Sequence, residues 1–252
     1  PEDPATLQRY IELFGQVGNE LEILDDYIRL ADLYVKKAQF VEATRTFERI
    51  LAIDRRQRDV REKFIAFLLN TGQRQRAVAE MVKLSELYAL AGDFAAAART
   101  LARAHSLNPT DVNITESLAE NYARAGMHSA AVEHYSQVVR ACEETDITRA
   151  VSACRRILEI DPDHLATRLV FSPLLMRLGE RAEAAANALY LAELYRANGQ
   201  TDKASEYEAR AKEYEPETVE SLRARLGQKG LAPKDRYDAL VRLGDLLYQQ
   251  GE

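Results

Sequence analysis

The amino-acid sequence predicts an all-α repeat solenoid of about fourteen antiparallel helices. Three observations predict it. The pentad Leu30-Ala31-Asp32-Leu33-Tyr34 returns as Leu84-Ser85-Glu86-Leu87-Tyr88 and as Leu191-Ala192-Glu193-Leu194-Tyr195, after steps of 54 and 107 residues, so the chain is an array. Glycines stand at Gly18, Gly72, Gly126 and Gly179, which are 54, 54 and 53 residues apart. Apolar residues make up 46% of the 252 residues and are mostly Ala, Leu and Tyr, a helical bias with few Val- or Thr-rich runs.

Each glycine opens a block of three helical segments: 18–71, 72–125, 126–178 and 179–232, flanked by partial repeats at 1–17 and 233–252. The array 1–252 is expected to form one continuous unit. The first segment of each block is the longest, about 18 residues, and carries the pentad, decayed to Val138-Val139-Arg140-Ala141-Cys142 in the third block. It ends in turns such as Gly92-Asp93 and Gly199-Gln200, where glycine supplies a left-handed residue and aspartate caps the next helix. The second segment places Ala43/Phe47/Ile50, Ala97/Leu101/Ala104, Ala150/Cys154/Ile157 and Ala204/Glu208/Ala211 on one face, because spacings of four and three keep residues aligned on a helix. Asn108-Pro109, Asp161-Pro162 and Glu215-Pro216 end three of these segments, since proline drives its predecessor out of the helical region. The third segment carries a weaker pentad, as in Phe64–Leu68, Leu118–Tyr122 and Phe171–Leu175. Segments at 5–17 and 235–250 bring the count to fourteen.

A small residue inside Leu-Ala-x-x-Tyr, a glycine turn, a downstream Ala-x-x-x-large-x-x-apolar and a closing proline together resemble the tetratricopeptide repeat (TPR) family. Residues 78–111 carry the pattern through Leu84, Ser85, Tyr88, Gly92, Phe94, Ala97, Leu101, Ala104 and Pro109. Residues 24–57 carry it with Ala38 in place of the turn glycine and Arg55 in place of the proline; 112–141 and 185–218 carry it as well. The resemblance implies a right-handed, TPR-like α-solenoid that presents a groove to a peptide or protein. One departure stands out: the family's units are helix pairs of 34 residues, whereas turn spacings here alternate between 34 and about 20, as at Gly72, Gly92 and Gly126. The long first helix therefore serves two hairpins, and with three helices per block the same sequence feature falls in alternate layers of a two-layer stack.

No catalytic motif is present: no Gly-x-Ser-x-Gly, no phosphate-cradling glycine loop and no His-Glu-x-x-His. The chain is expected to be non-catalytic and to need no cofactor or metal. The four histidines do not pair at helical metal-ligand spacing, and His128 and His164 read as surface or capping residues. Cys142 and Cys154 fall on adjacent helices with an axial offset of roughly 9 Å, too far for a disulfide, so both are expected as buried thiols. Pro173 inside a helix leaves the Leu169 carbonyl unpaired and bends it, which either widens a groove near Met176 or is simply tolerated. Tyrosines closing the pentads (Tyr34, Tyr88, Tyr122, Tyr195, Tyr248) read as packing between helices.

The acidic third position of the pentad is the candidate partner-binding column: Glu12, Glu86, Glu120, Glu193 and Asp32, with Asp245. By the resemblance this column can face a groove, and the Asn and Lys that clamp a C-terminal carboxylate in the family's best-known ligand mode are absent from it. The expected partner is a basic or neutral segment; the competing reading is a solvated face with local ion pairs. Alternate counting puts Glu12, Glu86, Glu120 and Glu193 in one layer and Asp32 with Asp245 in the other. The formal net charge of -6, from 34 basic and 40 acidic residues, argues against nucleic acid as a partner. The cluster Arg55, Arg56, Arg58, Arg61, Arg74 and Arg76 is interleaved with Asp54, Asp59 and Glu62 and reads as a solvated edge. No stretch approaches about 18 uncharged apolar residues, so no membrane insertion is expected. The N-terminus Pro1-Glu2-Asp3-Pro4 lacks signal-peptide features and reads as a cut into a longer, cytoplasmic protein. The function expected is a protein-interaction scaffold, with two alternatives: a peptide-responsive regulatory module, or an array that self-associates through end faces at Ile11/Phe14 and Leu243/Leu247.

Overall fold

The computed structural model describes residues 3–15, 21–214, 218–227 and 231–249. These contain fourteen helices and no strand: α1 Pro4–Gly15, α2 Leu24–Lys36, α3 Phe40–Ile53, α4 Arg58–Asn70, α5 Arg74–Leu90, α6 Phe94–Leu107, α7 Val112–Arg124, α8 His128–Cys142, α9 Ile147–Ile160, α10 Leu165–Leu178, α11 Arg181–Ala197, α12 Thr201–Tyr214, α13 Val219–Leu226 and α14 Pro233–Gln249. The four first segments are α2, α5, α8 and α11. Three of them are long, at 17, 15 and 17 residues, but α2 has 13, one fewer than α3. The block boundary at Gly18 and the stop at Glu215-Pro216 lie outside the described residues.

Two turn chemistries separate the helices. In the first, the carbonyl of the residue closing the pentad accepts a bond from the amide five residues on. Tyr34, Leu68, Tyr88, Tyr122, Leu175 and Tyr195 all do this, at 2.8–2.9 Å. The residue four after each is left-handed: Gly72, Gly92, Gly126, Gly179 and Gly199 at φ between 72° and 81°, and Ala38 at 56°. This is the Schellman closure. The same pentad thus packs through its Leu and Tyr side chains and terminates its own helix through its last carbonyl. A Cβ built at Gly92 meets nothing within 4 Å, so backbone strain alone selects glycine there. Ala38 bears that strain, and Ala38→Gly is expected to stabilise the chain by about 0.5–1 kcal/mol, read as a raised urea midpoint in far-UV circular dichroism.

The second turn is extended. Asn108 before Pro109 sits at φ −142°, as proline requires of its predecessor. Asp54 adopts φ −134° with no proline behind it. Its carboxylate instead accepts from the Arg56 amide and the Gln57 side chain, both at 2.9 Å, so an aspartate turn replaces the missing ring.

The chain divides into two compact units, Pro1–Cys142 with Glu159–Asp161, and Glu143–Leu158 with Pro162–Glu252. In the first, each helix from α1 to α8 packs on its chain neighbour. Ion pairs reach across to the next helix but one: Asp32 of α2 to Lys63 of α4 at 2.8 Å, and Glu48 of α3 to Arg76 of α5 at 2.5 Å. The odd helices therefore form one layer and the even helices the other. Helices α2 and α5 carry the same pentad in different layers, which is the consequence of a three-helix block in a two-layer stack. The core between the layers is stitched by Phe47, Phe64 and Phe67, whose rings lie within 6.4 Å of one another, and by fully buried Ile50, Leu68, Leu84, Leu101 and Leu118.

In the second unit α10, α11 and α12 pack in succession. Arg155 of α9 reaches Glu183 of α11 at 2.6 Å, again skipping a helix. Helix α10 runs through Pro173 without interruption. Polar groups of α10 on the turn before Pro173 are bonded from α11. Asn187, 4% exposed, donates to the Arg168 carbonyl and to Ser172 Oγ and accepts from the Arg168 guanidinium, each at 2.8 Å. Ser172 in turn donates to the Ala184 carbonyl at 3.1 Å.

The outer faces of the terminal helices differ from expectation. Ile11 is buried, and the exposed apolar residues of α1 are Tyr10, Leu13 and Phe14. On α14, Leu243 and Leu247 are half-buried, while Tyr237, Leu240, Val241 and Tyr248 are exposed. Tyr248 therefore does not pack between helices as the other pentad tyrosines do. Both cysteines are buried and form no disulfide; burial, with the charge of Glu143, pushes the Cys154 thiol up to about 12, which keeps it protonated.

Candidate partner-binding groove

The odd layer of the first unit carries three cavities in a row. The first, of 230 Å³ between α1 and α3, is lined by Glu12, Tyr34, Glu42 and Arg45. The second, of 610 Å³ between α3 and α5, is lined by Glu48, Arg55, Arg61, Glu80, Lys83 and Glu86. The third and largest, of 770 Å³ between α5 and α7, has an apolar floor of Val78, Val82, Leu107 and Ile114 and a rim that includes Arg74, Lys83, Glu86 and Asp111. Lys83 and Glu86 belong to both of the larger cavities. The sequence places them there because α5 offers one stripe, Gln75, Val78/Ala79, Val82 and Glu86, at helical spacing along the groove.

The candidate acids are distributed unevenly over this surface. Glu12 and Glu86 line the groove, in different cavities. Glu12 is held by Gln8 at 2.9 Å, whereas the exposed Glu86 carboxylate has no bonded partner among the described residues. Glu120 is in the same layer but is engaged, by Arg124 at 2.8 Å and by the Tyr135 hydroxyl at 2.7 Å. Asp32 lies in the other layer, bonded to Lys63. Glu193, in the second unit, is exposed. The column is thus not one continuous acidic strip.

Cations contribute as much to the groove as acids do. Arg61 was expected on a solvated edge, but it is 5% exposed, ion-paired to Glu80 of α5 and bonded to the Arg55 carbonyl at 3.1 Å. Its rotation on α4 points it at α5, a fact that a run of arginines in sequence does not carry. Arg58 covers the Tyr88 ring at 5.4 Å and Arg76 pairs with Glu48, leaving Arg55, Arg56 and Arg74 as exposed cations without a bonded partner for the side chain. At the α1 end, burial and then the charges of Glu42, Glu12 and Asp3 push the Tyr34 phenol up. Tyr34 donates its hydroxyl to Gln8 at 2.6 Å.

The even layer holds a pair that spacing along the chain conceals. His105 of α6 and His134 of α8 meet edge to face with ring centroids 5.3 Å apart, and Tyr122 of α7 stacks on His134 at 5.5 Å. His105 Nε2 and His134 Nδ1 are buried without a hydrogen-bond partner. Burial first, then the neighbouring His105, pulls His134 below its ordinary value of 6.5, against the opposing influence of Gln137 and Glu133. The folded state therefore favours neutral His134, and unfolding takes up a proton. Stability from this contact is complete above pH 6.5 and is lost as the pH falls below it toward the folded value. His134→Gln is expected to flatten the dependence of the urea midpoint on pH in that acidic window, while leaving the midpoint at pH 8 little changed.

Among the described residues no cluster of three or more metal-ligating side chains occurs, and no helix is long and apolar enough to cross a membrane. The tetratricopeptide repeat family matches the sequence over residues 27–61, a stretch that begins in α2 and ends at Arg61. None of the curated proteins matches this chain. Solved structures that align with the chain include BtubC (BKLC) from P. vanneervenii, at 17% identity and a TM-score of 0.37 over 91% of this chain and 93% of that one. MamA aligns at 17% identity and a TM-score of 0.24 over 73% and 93%. The apo form of RapI aligns at 11% identity and 0.31 over 83% and 89%.

Proposed function

We propose that this array of helices, which matches the tetratricopeptide repeat family over residues 27–61, is a non-catalytic scaffold whose odd-helix groove, in the first unit, holds a segment of a partner protein. The observation that carries the proposal is the junction at Glu86. Two adjoining cavities of 610 and 770 Å³ share its exposed, unpaired carboxylate, next to an apolar floor of Val78, Val82 and Ile114. Apolar floors supply affinity, and an uncompensated charge at the rim supplies selection for the opposite sign. The partner is accordingly a segment that brings a basic residue to Glu86. Glu12 is a secondary contact at the α1 end. Glu120, Asp32 and Glu193 complete the candidate column, and the first two must release existing bonds to take part.

Capture from a cell lysate with the 252-residue chain as bait tests this reading. Val82→Arg fills the groove floor; Ser117→Trp on the exposed rim serves the same end if the first variant loses helicity. Either is expected to reduce capture of the bound protein by at least about tenfold, and Glu86→Lys by about tenfold, equivalent to about 1.4 kcal/mol. Asp32→Lys, in the other layer, is expected to leave capture unchanged. Capture indifferent to the groove variants sinks the proposal.

A further inference from the structure

Helix α5, the wall common to the two large cavities, is charged against its own dipole. A helix favours acids in its first turn and bases in its last. Helix α5 has no acid in its first turn and no base in its last; it begins at Arg74, and Glu86 stands one turn before its end at Leu90. Gln73, at the N-cap, makes no capping bond from its side chain. Arg76, in the same first turn, is neutralised by Glu48. Arg74 and Glu86 are exposed, line the 770 Å³ cavity and have no bonded side-chain partner. The other charges of that cavity are committed: Lys83 to Glu80 at 2.8 Å, and Asp111 to the amides of Asn113 and Ile114 at the start of α7. Arg74 opens α5 against its dipole, and the fold engages neither the Arg74 nor the Glu86 side chain, so both charges at the two ends of this groove wall are available to a ligand.

We propose that α5 reads the charge order of the groove's occupant, a protein segment with an acidic residue opposite Arg74, apolar residues over Val78 and Val82, and a basic residue opposite Glu86. Twelve positions separate Arg74 from Glu86, about 18 Å along the axis, so the two charges of the partner stand about twelve residues apart if it is helical and five or six if it is extended. This rests on the groove reading above and adds to it the sign, order and spacing of the partner's charges.

A displayed library of random 16-residue peptides, panned against the full chain, tests it. Binders that depend on the groove are those lost on Val82→Arg or Ser117→Trp. Among them acidic and basic residues are expected to segregate to opposite ends around an apolar centre. Panning against the double variant Arg74→Glu/Glu86→Arg is expected to return the opposite order from N- to C-terminus. The same double variant is expected to raise Tm, since it replaces a base with an acid in the first turn. Groove-dependent binders without charge order, or with an order the double variant does not invert, overturn the inference and leave the groove reading standing. A lowered Tm shows the two charges to be structural and likewise overturns it. Binders indifferent to Val82→Arg and Ser117→Trp, or no binders, overturn both.

Discussion

Glu80→Ala is expected to destabilise the first unit by about 3 kcal/mol, the low end of what removing one partner of a buried ion pair costs. Arg61 is left 5% exposed with its main counter-charge gone. Its Nε already lacks a partner, and the bond to the Arg55 carbonyl does not neutralise it. The adjoining 610 Å³ cavity lets water approach, which places the effect at the low rather than the high end. Loss of Lys83's partner at the surface adds little, because exposed pairs contribute about 0–1 kcal/mol. The check is urea unfolding followed by circular dichroism at 222 nm, with Arg61→Met/Glu80→Met as the companion. If the penalty comes from an orphaned charge, the double variant recovers most of the stability, whereas two independent packing losses would add.

Asn187→Leu is expected to cost about 3 kcal/mol in the second unit. Three bonds of 2.8 Å disappear together, and buried polar groups left without partners cost about 1–3 kcal/mol each. Leucine keeps the branched shape and the number of heavy atoms and leaves no cavity, so the loss comes from the missing bonds and from methyl groups crowding the same partners. Arg168 keeps its bond to the Pro162 carbonyl and its place 3.5 Å from the centre of the Tyr190 ring, which limits the loss. A midpoint shift of under about 0.5 kcal/mol would show that the stretch of α10 around Pro173 does not depend on α11.

The two residues behind these effects were legible to very different degrees. Arg61 was visible in the sequence only as one member of an arginine run, and Asn187 not at all. By contrast, the sequence shows Pro173 inside a helix and Ala38 where its repeat has glycine. The difference is range. A proline or a left-handed residue acts on the bonds of its own turn, so its meaning is carried by its neighbours in the chain. Arg61 and Asn187 owe their roles to partners nineteen residues away on the next helix. Whether a side chain at such a position is buried depends on how each helix is rotated about its axis. The pair His105 and His134 is the same case at longer range, joining helices that are not adjacent in the chain. One charge of the proposed groove is visible in the sequence: α5 opens on Arg74 with no acid in its first turn, contrary to the usual pattern.

The acidic column shows where the reading of a repeat stops. The pentad identified Glu12, Asp32, Glu86, Glu120 and Glu193 as equivalent positions, and alternate counting separated Asp32 from Glu12, Glu86 and Glu120 within the first unit. Equivalence in the repeat did not extend to equivalence in environment. Lys63, Arg124 and Tyr135 occupy three of the neighbouring sites in ways the repeat does not specify, and they take up Asp32 and Glu120 while leaving Glu86 open.

The sequence by itself determined the helices, their number and their two kinds of turn, because each is closed by bonds spanning no more than five residues and by the backbone freedom of single positions. Tertiary structure alone decided which charges are buried, which are paired and which remain free to meet a partner. Those outcomes are set by the rotation and spacing of neighbouring helices, and no local stretch of the chain contains that information.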